Sequence, residues 1–357
     1  MRKICFLIGN LNNSGGTERV TSIISNELFK LGNEVVVLGL EGCDKPFFEL
    51  NSGIKVFTLF NKKVSMKTHF ILLIIKLRRF ILDNNIEQLV VVDSISCIFS
   101  VPALFGLNVK HICWEHFNYN VNLGVVFRDI GRKLAARYCD YVITLTNKDK
   151  DLWLGNLKNI KAQIVVIPNP TPYENIVAKP NLNNKIVLAI GRLTHQKGFD
   201  LLIEAWSLVC KKNKDWTLKI VGSGEDESSL KAQSKKLGIS DRILFIPAEK
   251  EISRHYRSAS FYCMSSRFEG FGMVLLEAQS FGLPIISYDC ECGPCDIVDN
   301  NLNGFLINPL SIQDLYEGLL KMIQMTRKDY EIMSNHALKK SKEFYLKNLI
   351  NKWLDLI

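Results

Sequence analysis

Short runs of apolar, often β-branched residues recur along the chain, separated by stretches whose apolar positions return every three or four residues. Over the first half, Ile4–Ile8, Glu34–Leu40, Gln88–Asp93, Lys110–Trp114, Tyr141–Leu145 and Ile164–Ile167 predict strands. Helical periodicity fills Glu18–Leu31, Met66–Leu82 and Gly124–Arg137 between them. Unbroken apolar runs mark strands buried on both faces, the condition of parallel strands crossed by helices. The second half repeats the rhythm, with strands predicted at Ile186–Ile190, Thr217–Val221, Ile243–Phe245, Phe261–Met264, Pro284–Ser287 and Phe305–Ile307. Helices are predicted at Phe199–Lys211, Glu227–Leu237, Val274–Phe281, Ile312–Thr326 and His336–Leu356. The pattern predicts an α/β protein with two Rossmann-like, doubly wound domains.

The seam is the Pro-rich segment Ile167-Pro168-Asn169-Pro170-Thr171-Pro172, followed by the polar stretch Lys179–Lys185. Proline stiffens a connection rather than continuing an element. The expected division is residues 1–170, a linker at 171–184, a second domain at 185–335 and a C-terminal helix at 336–357, which could pack on either domain or bridge them. At 357 residues the chain has the length for two such cores.

Charge separates the two halves. The first 170 residues hold 21 Lys and Arg against 14 Asp and Glu, so most of the overall +9 lies there. That excess is too mild to indicate nucleic acid, and no recognition motif appears. Lys62, Lys63, Lys67, Lys76, Arg78 and Arg79 form the densest basic stretch and enclose Phe70–Ile75. A basic amphipathic helix of this kind can lie on an anionic bilayer; the competing reading is a solvated basic face over a buried apolar one. No apolar run is long enough to span a membrane. The apolar stretch after Met1-Arg2-Lys3 is too short for a signal peptide, and ten scattered Cys read as reduced thiols. A cytoplasmic location follows as the expectation.

Several strand ends carry anion-handling chemistry. The first strand runs into Gly15-Gly16 just before a helix, where backbone amides can approach an anion. It matches neither the dinucleotide fingerprint nor a P-loop. A plain tight turn is the competing reading. In the second half, Gly191-Arg192-Leu193 and Lys197-Gly198 lie between a strand and a helix, offering a planar fork and a point charge to one anion. Gly222-Ser223-Gly224 follows the next strand. Then comes Glu269-Gly270-Phe271-Gly272-Met273-Val274-Leu275-Leu276-Glu277, with one carboxylate in a Gly-rich loop and the second inside the following helix. Glu277 sits among Leu275, Leu276 and Ala278, where a carboxylate is costly unless something uses it.

With these segments the chain resembles, over essentially its whole length, the family 4 retaining glycosyltransferases of the GT-B fold. Gly15-Gly16-Thr17-Glu18-Arg19, the Arg192/Lys197 pair, Gly222-Ser223-Gly224 and the E-x7-E pair Glu269…Glu277 carry the resemblance, with Asp289-Cys290-Glu291-Cys292-Gly293-Pro294 as a further matching loop. It implies two domains facing a cleft and transfer of a sugar from a nucleotide-sugar donor, a UDP-hexose or UDP-N-acetylhexosamine, to a lipid-linked or glycan acceptor in bacterial polysaccharide assembly. Arg192 and Lys197 would neutralise the donor diphosphate beside the Gly15 and Gly16 amides. Gly222, Gly224, Gly272 and Met273 would line the donor. Glu277 would bind the ribose, and Glu269 would lie against the sugar with the Phe271 and Gly272 amides. His116, in Trp114-Glu115-His116, is the likeliest match to a His near the donor sugar.

The resemblance implies no cofactor and no catalytic metal, and no acidic D-x-D turn is read as a metal site. Cys292 and Cys295 have C-x-x-C spacing without a second pair. The expected partners are the nucleotide sugar, its acceptor and the anionic inner face of the membrane, with the enzyme peripheral to it. Two other functions remain open on sequence: a nucleotide-sugar epimerase of the same fold, against which the E-x7-E pair argues, and a non-catalytic partner subunit. Such a subunit would be expected to have lost one of Arg192, Lys197, Glu269 or Glu277, and all four are present.

Overall fold

A computed structural model describes residues 2–62, 66–178 and 180–357. The chain forms two units, one comprising residues up to Pro172 together with Leu346–Ile357, the other Tyr173–Tyr345.

Unit 1 is built on seven strands: β1 (Lys3–Ile8), β2 (Glu34–Glu41), β3 (Lys55–Phe60), β4 (Gln88–Val92), β5 (Lys110–Trp114), β6 (Tyr141–Thr144) and β7 (Gln163–Val166). All pairs are parallel, in the order β3-β2-β1-β4-β5-β6-β7. Residues 4–8 of β1 and all of β4 are buried, which is why these strands read as unbroken apolar runs. The edge strand β3 escaped sequence reading because Lys55, Phe57 and their neighbours alternate in exposure and leave no apolar run.

Unit 2 contains β8 (Ile186–Ile190), β9 (Thr217–Val221), β10 (Ile243–Ile246), β11 (Phe261–Met264), β12 (Ile285–Tyr288) and β13 (Gly304–Ile307). The sheet is again wholly parallel, in the order β10-β9-β8-β11-β12-β13. In each sheet the direction of winding reverses once, between β1 and β4 and between β8 and β11. Loops leaving the carboxyl ends of those strands diverge there and open a crevice for a ligand.

The structure divides the chain differently from the expectation. Residues 173–184 are part of unit 2 rather than a free linker: Tyr173 packs edge-on against Phe281 at 5.0 Å, and Ser260 Oγ donates to the Asn181 carbonyl at 2.8 Å. The single helix expected over 336–357 is two. Helix Arg327–Ser341 stays on unit 2, where Ser334 Oγ donates to the Gly282 carbonyl at 2.7 Å. The chain then turns through Lys342–Phe344 and is extended at Tyr345, whose hydroxyl accepts from Asn175 N at 3.0 Å. Helix Leu346–Leu354 joins unit 1, burying Leu349, Ile350 and Trp353. Trp353 meets Trp114 edge-on at 4.7 Å and Phe6 at 6.2 Å, so residues from opposite ends of the sequence share one core. The helical periodicity was legible, but the break was not, because neither Gly nor Pro marks it.

Candidate functional site

The loops after β8 and β11 flank the reversal point of unit 2 and are joined by hydrogen bonds. Arg267 N donates to the Gln196 carbonyl at 2.8 Å, Gln196 Nε2 to the Phe268 carbonyl at 3.1 Å, and Ser265 Oγ to the Lys197 carbonyl at 2.9 Å. Arg267 grips Asp200 through both terminal nitrogens, at 2.8 and 2.6 Å. Gly198 lies at φ +62°, and a Cβ there would fall 2.1 Å from the Ser265 carbonyl oxygen, so only glycine permits this approach.

Within this frame Lys197 Nζ stands 2.6 Å from Glu269 Oε1, which also accepts from Ser266 Oγ at 2.7 Å. Lys197 runs its methylenes across Gly191, within 3.3 Å of where a Cβ would be. The pair is largely buried, with 17% and 8% of the two side chains exposed. Arg192 is exposed on the same loop and has no ion-pair partner among the described residues. Gly222 and Gly224 bring the loop after β9 against it: a Cβ on Gly222 would sit 1.9 Å from the Gly191 carbonyl oxygen, and one on Gly224 2.3 Å from that of Leu193. The sequence-derived residues Arg192, Lys197, Gly222, Gly224 and Glu269 thus gather on three adjacent loops.

Gly272, at φ +89°, starts helix Met273–Ser280, whose first amides have no intrahelical acceptor. Met273 is therefore placed to present an amide, as is Gly272 itself. The Phe271 ring instead turns inward, 6.0 Å from Phe344, leaving its backbone as the usable part. Gly293, at φ +101°, lies against that backbone, where a Cβ would be 2.3 Å from the Phe271 carbonyl oxygen. Glu277 is one turn into the helix and 4% exposed. Its Oε2 accepts from the Tyr256 hydroxyl at 2.7 Å. Burial and the carboxylate beside it push the Tyr256 phenol well above its ordinary pKa, so the hydroxyl stays a donor. Tyr256 stacks on Phe281 at 5.3 Å. Sequence reading missed it, since nothing local links a Tyr twenty-one residues upstream to Glu277.

In unit 1, β4 and β5 end in a dense polar network. Asp93, at φ +87°, accepts from Arg128 Nη1 at 2.9 Å on both carboxylate oxygens and from Ile95 N at 3.1 Å on one of them. Burial, and next the Glu115 charge, raise the Asp93 carboxyl to about 6 against the opposing pull of Arg128. Glu115 accepts from the His116 and Phe117 amides at 3.0 Å and from Arg132 Nε at 3.3 Å, and so shapes the bend that aims His116. The His116 ring lies 4.5 Å from that of Trp114, and its Nε2 is buried with no partner. Burial lowers its pKa to about 3, so it is neutral in the physiological range. A neutral imidazole with a free ring nitrogen suits a hydrogen bond to a ligand better than it suits a charge. Asp93, Glu115 and Arg132 lacked any sequence motif that would have selected them.

Gly15 is the N-terminal cap of helix Gly16–Lys30. The Glu18 carboxylate folds back across it, an oxygen lying 2.4 Å from where a Gly15 Cβ would be. An anion at the Gly15 and Gly16 amides would meet that carboxylate, a competition absent from the sequence expectation. One D-x-D spacing does occur, Asp149-Lys150-Asp151. It falls inside helix Asn147–Asn156, where Asp149 is buried and accepts from Tyr119 N at 2.7 Å.

Most of the basic stretch lies on helix Met66–Asp83; Lys62 precedes it, and Lys63 and the Lys67 side chain lie outside the described residues. Leu73, Leu77 and Ile81 face the core, yet Ile71, Leu72, Ile75 and Leu82 are exposed, Ile71 by 71%. Lys76 reaches the Leu59 carbonyl at 3.0 Å, and Arg78 the carbonyls of Ala103 and Phe105 at 2.9 and 2.8 Å. The outer face is thus apolar with a basic margin, unlike the solvated basic face weighed from sequence. No helix among the described residues is long and apolar enough to cross a membrane.

Comparison with known proteins follows the two halves. The model for Glycosyltransferase Family 4 matches residues 14–174, and that for Glycosyl transferases group 1 matches residues 173–340. An uncharacterized glycosyltransferase of Haemophilus influenzae is 37% identical over the full length of both chains. The amylovoran biosynthesis glycosyltransferase AmsD of Erwinia amylovora is 29% identical, also over the whole of both. A Campylobacter jejuni α-1,4-N-acetyl-D-galactosaminyltransferase, named for an undecaprenol-diphosphate-linked glycan, is 26% identical over 100% of this chain and 98% of its own. Among solved structures, Staphylococcus aureus TarM in complex with UDP superposes with a TM-score of 0.82 over 100% of this chain and 99% of that one, at 15% identity.

Proposed function

The chain belongs to the GT4-type glycosyltransferases of the GT-B fold, and from that premise we propose that it is a retaining, metal-independent hexosyltransferase using a UDP-sugar in bacterial surface-polysaccharide assembly. The observation that carries this reading is the Lys197–Glu269 pair on the glycine-lined loops of unit 2, with Arg192 beside it. Arg192 and Lys197 hold the donor diphosphate, and their charge stabilises the leaving phosphate as the glycosidic bond breaks. Glu269 orients the sugar, and the Gly272 and Met273 amides contact it. Glu277, held by Tyr256, accepts hydrogen bonds from the ribose hydroxyls. His116 offers its free ring nitrogen to the transferred sugar. The leaving phosphate itself accepts the acceptor's proton in a front-face displacement. The E-x7-E pair and the transferase relatives favour transfer over epimerisation. Incubating the purified protein with a panel of nucleotide sugars, and following donor hydrolysis and protection from thermal unfolding, tests the reading. Loss of protection by every UDP-sugar would reject it.

The two carboxylates divide by task. Glu277→Gln weakens binding of UDP itself by about tenfold or more, the cost of a charged hydrogen bond, and Tyr256→Phe does so more mildly. Glu269→Gln leaves UDP binding unchanged and impairs transfer. Calorimetry with bare UDP separates them; equal weakening by both variants would reject the division.

The acceptor is lipid-linked, and the enzyme meets it at the anionic inner face of the membrane. The exposed Ile71, Leu72 and Ile75 with basic neighbours support this, as does the lipid-linked glycan in the name of the Campylobacter relative. Binding to anionic vesicles is expected at low salt and weakens steeply as salt rises, because screening acts over roughly 8–10 Å at physiological ionic strength. Ile71→Glu with Ile75→Glu abolishes vesicle sedimentation and leaves UDP binding intact. Failure of the wild-type protein to bind such vesicles at low salt would count against membrane contact.

A further inference from the structure

Unit 1 contains a sulfur and imidazole cluster that the transfer chemistry does not use. Cys97, at the start of helix Cys97–Leu104, His111 on β5 and Cys139, just after helix Val126–Tyr138, place one ligand atom each within 4.8 Å of one another. Cys139 Sγ stands 3.4 Å from His111 Nδ1 and 4.0 Å from Cys97 Sγ. Tetrahedral zinc with ordinary bond lengths separates two sulfurs by about 3.8 Å and a sulfur from a nitrogen by about 3.5 Å. The two separations from Cys139 Sγ therefore already match two edges of such a tetrahedron.

A fourth ligand is at hand. Cys113 lies two residues beyond His111 on the same strand, hence on the same face; its sulfur stands outside the close group of the other three, so metal binding would turn its side chain inward to join them. All four residues are at most 4% exposed. The histidine is also held as a ligand would be. Its Nε2 is 3.1 Å from Ser100 Oγ, which turns Nδ1 toward the sulfurs. Its backbone is locked to Asp140, N donating to the carboxylate at 2.7 Å and the carbonyl accepting from Asp140 N at 2.8 Å. Three sulfurs and one imidazole favour zinc over the hard cations.

We propose that Cys97, His111, Cys113 and Cys139 form a structural zinc site inside unit 1, tying two helices to strand β5. A closed four-ligand site leaves no position for substrate and adds stability rather than chemistry. Being buried, it exchanges slowly, so chelator added to a transfer assay leaves it loaded.

Elemental analysis of protein purified under reducing conditions from zinc-supplemented cells is expected to give about one zinc per chain. Cys139→Ser and His111→Gln each reduce that content at least tenfold, whereas Cys263→Ala, a buried cysteine of unit 2, leaves it unchanged. Cobalt(II) exchanged into the wild-type protein gives the intense visible bands of tetrahedral thiolate coordination. Where a ligand variant fails to fold, Ser100→Ala retains every ligand and lowers metal affinity about 10–100-fold. Zinc below a tenth of an equivalent together with the absence of cobalt–thiolate bands overturns the proposal. A Cys97–Cys139 disulfide found by mass spectrometry in that preparation overturns it as well.

Discussion

Lys197→Ala lowers sugar transfer by about 10²–10³-fold, equivalent to roughly 3–4 kcal/mol of transition-state stabilisation. The ammonium has two jobs in the proposed reaction scheme. There it would meet the departing diphosphate as charge develops, and at rest it neutralises Glu269, 2.6 Å away and 8% exposed. Removing it therefore costs activity and leaves a carboxylate with its strongest counter-charge gone, which destabilises unit 2 by about 1–3 kcal/mol. The two effects can be separated. Adding Glu269→Gln to Lys197→Ala recovers stability and does not recover transfer. Lys197→Arg restores only part of the rate, because the lysine stem runs tightly across Gly191 and a planar fork does not replace a compact ammonium. Arg192→Ala, which breaks no ion pair among the described residues, lowers the rate comparably with no loss of stability. Steady-state transfer rates read beside thermal unfolding decide between these outcomes. Near-normal transfer by Lys197→Ala would remove the residue from the chemistry.

Trp353→Ala destabilises unit 1 by about 3–5 kcal/mol, the usual cost of hollowing a packed core at a large aromatic. The indole is 1% exposed and wedged against Trp114 and Phe6. The same Trp114 lies tilted against His116, so the void opens one ring away from a proposed substrate contact. UDP binding, which the proposed function assigns to unit 2, is expected to persist. Chemical denaturation followed by fluorescence would show the unit 1 transition moving to lower denaturant while UDP affinity stays constant. An unmoved transition would mean that helix Leu346–Leu354 contributes little to this core.

Much of this architecture was legible because parallel strands buried on both faces leave unbroken apolar runs, and twelve such runs were visible. Edge strand β3 was not, because its half-exposed alternation carries a weaker signal. Lys197, Glu269 and Glu277 announced themselves through spacing and through glycines whose neighbours leave no room for a side chain. Tyr256, Asp93, Glu115 and Arg132 did not. Their roles come from contacts across 17 to 35 residues, and periodicity holds no information at that range. The cysteine and histidine cluster is the plainest case. Cys97, His111 and Cys139 follow no metal-binding spacing, and only the arrangement of β5 between two helices brings them together.

The route of the chain has a consequence for how the protein is made. Unit 2 is one uninterrupted stretch, Tyr173–Tyr345, whereas unit 1 needs residues on both sides of it. During synthesis at about 5–20 residues per second, roughly 10–35 s separate the emergence of Pro172 from that of Leu346. Through that interval the nascent unit 1 has its sheet but lacks Trp353, so Phe6 and Trp114 lie uncovered while unit 2 folds to completion. The half that appears first on the ribosome is thus the half that finishes last, and its open apolar surface is where a chaperone would bind.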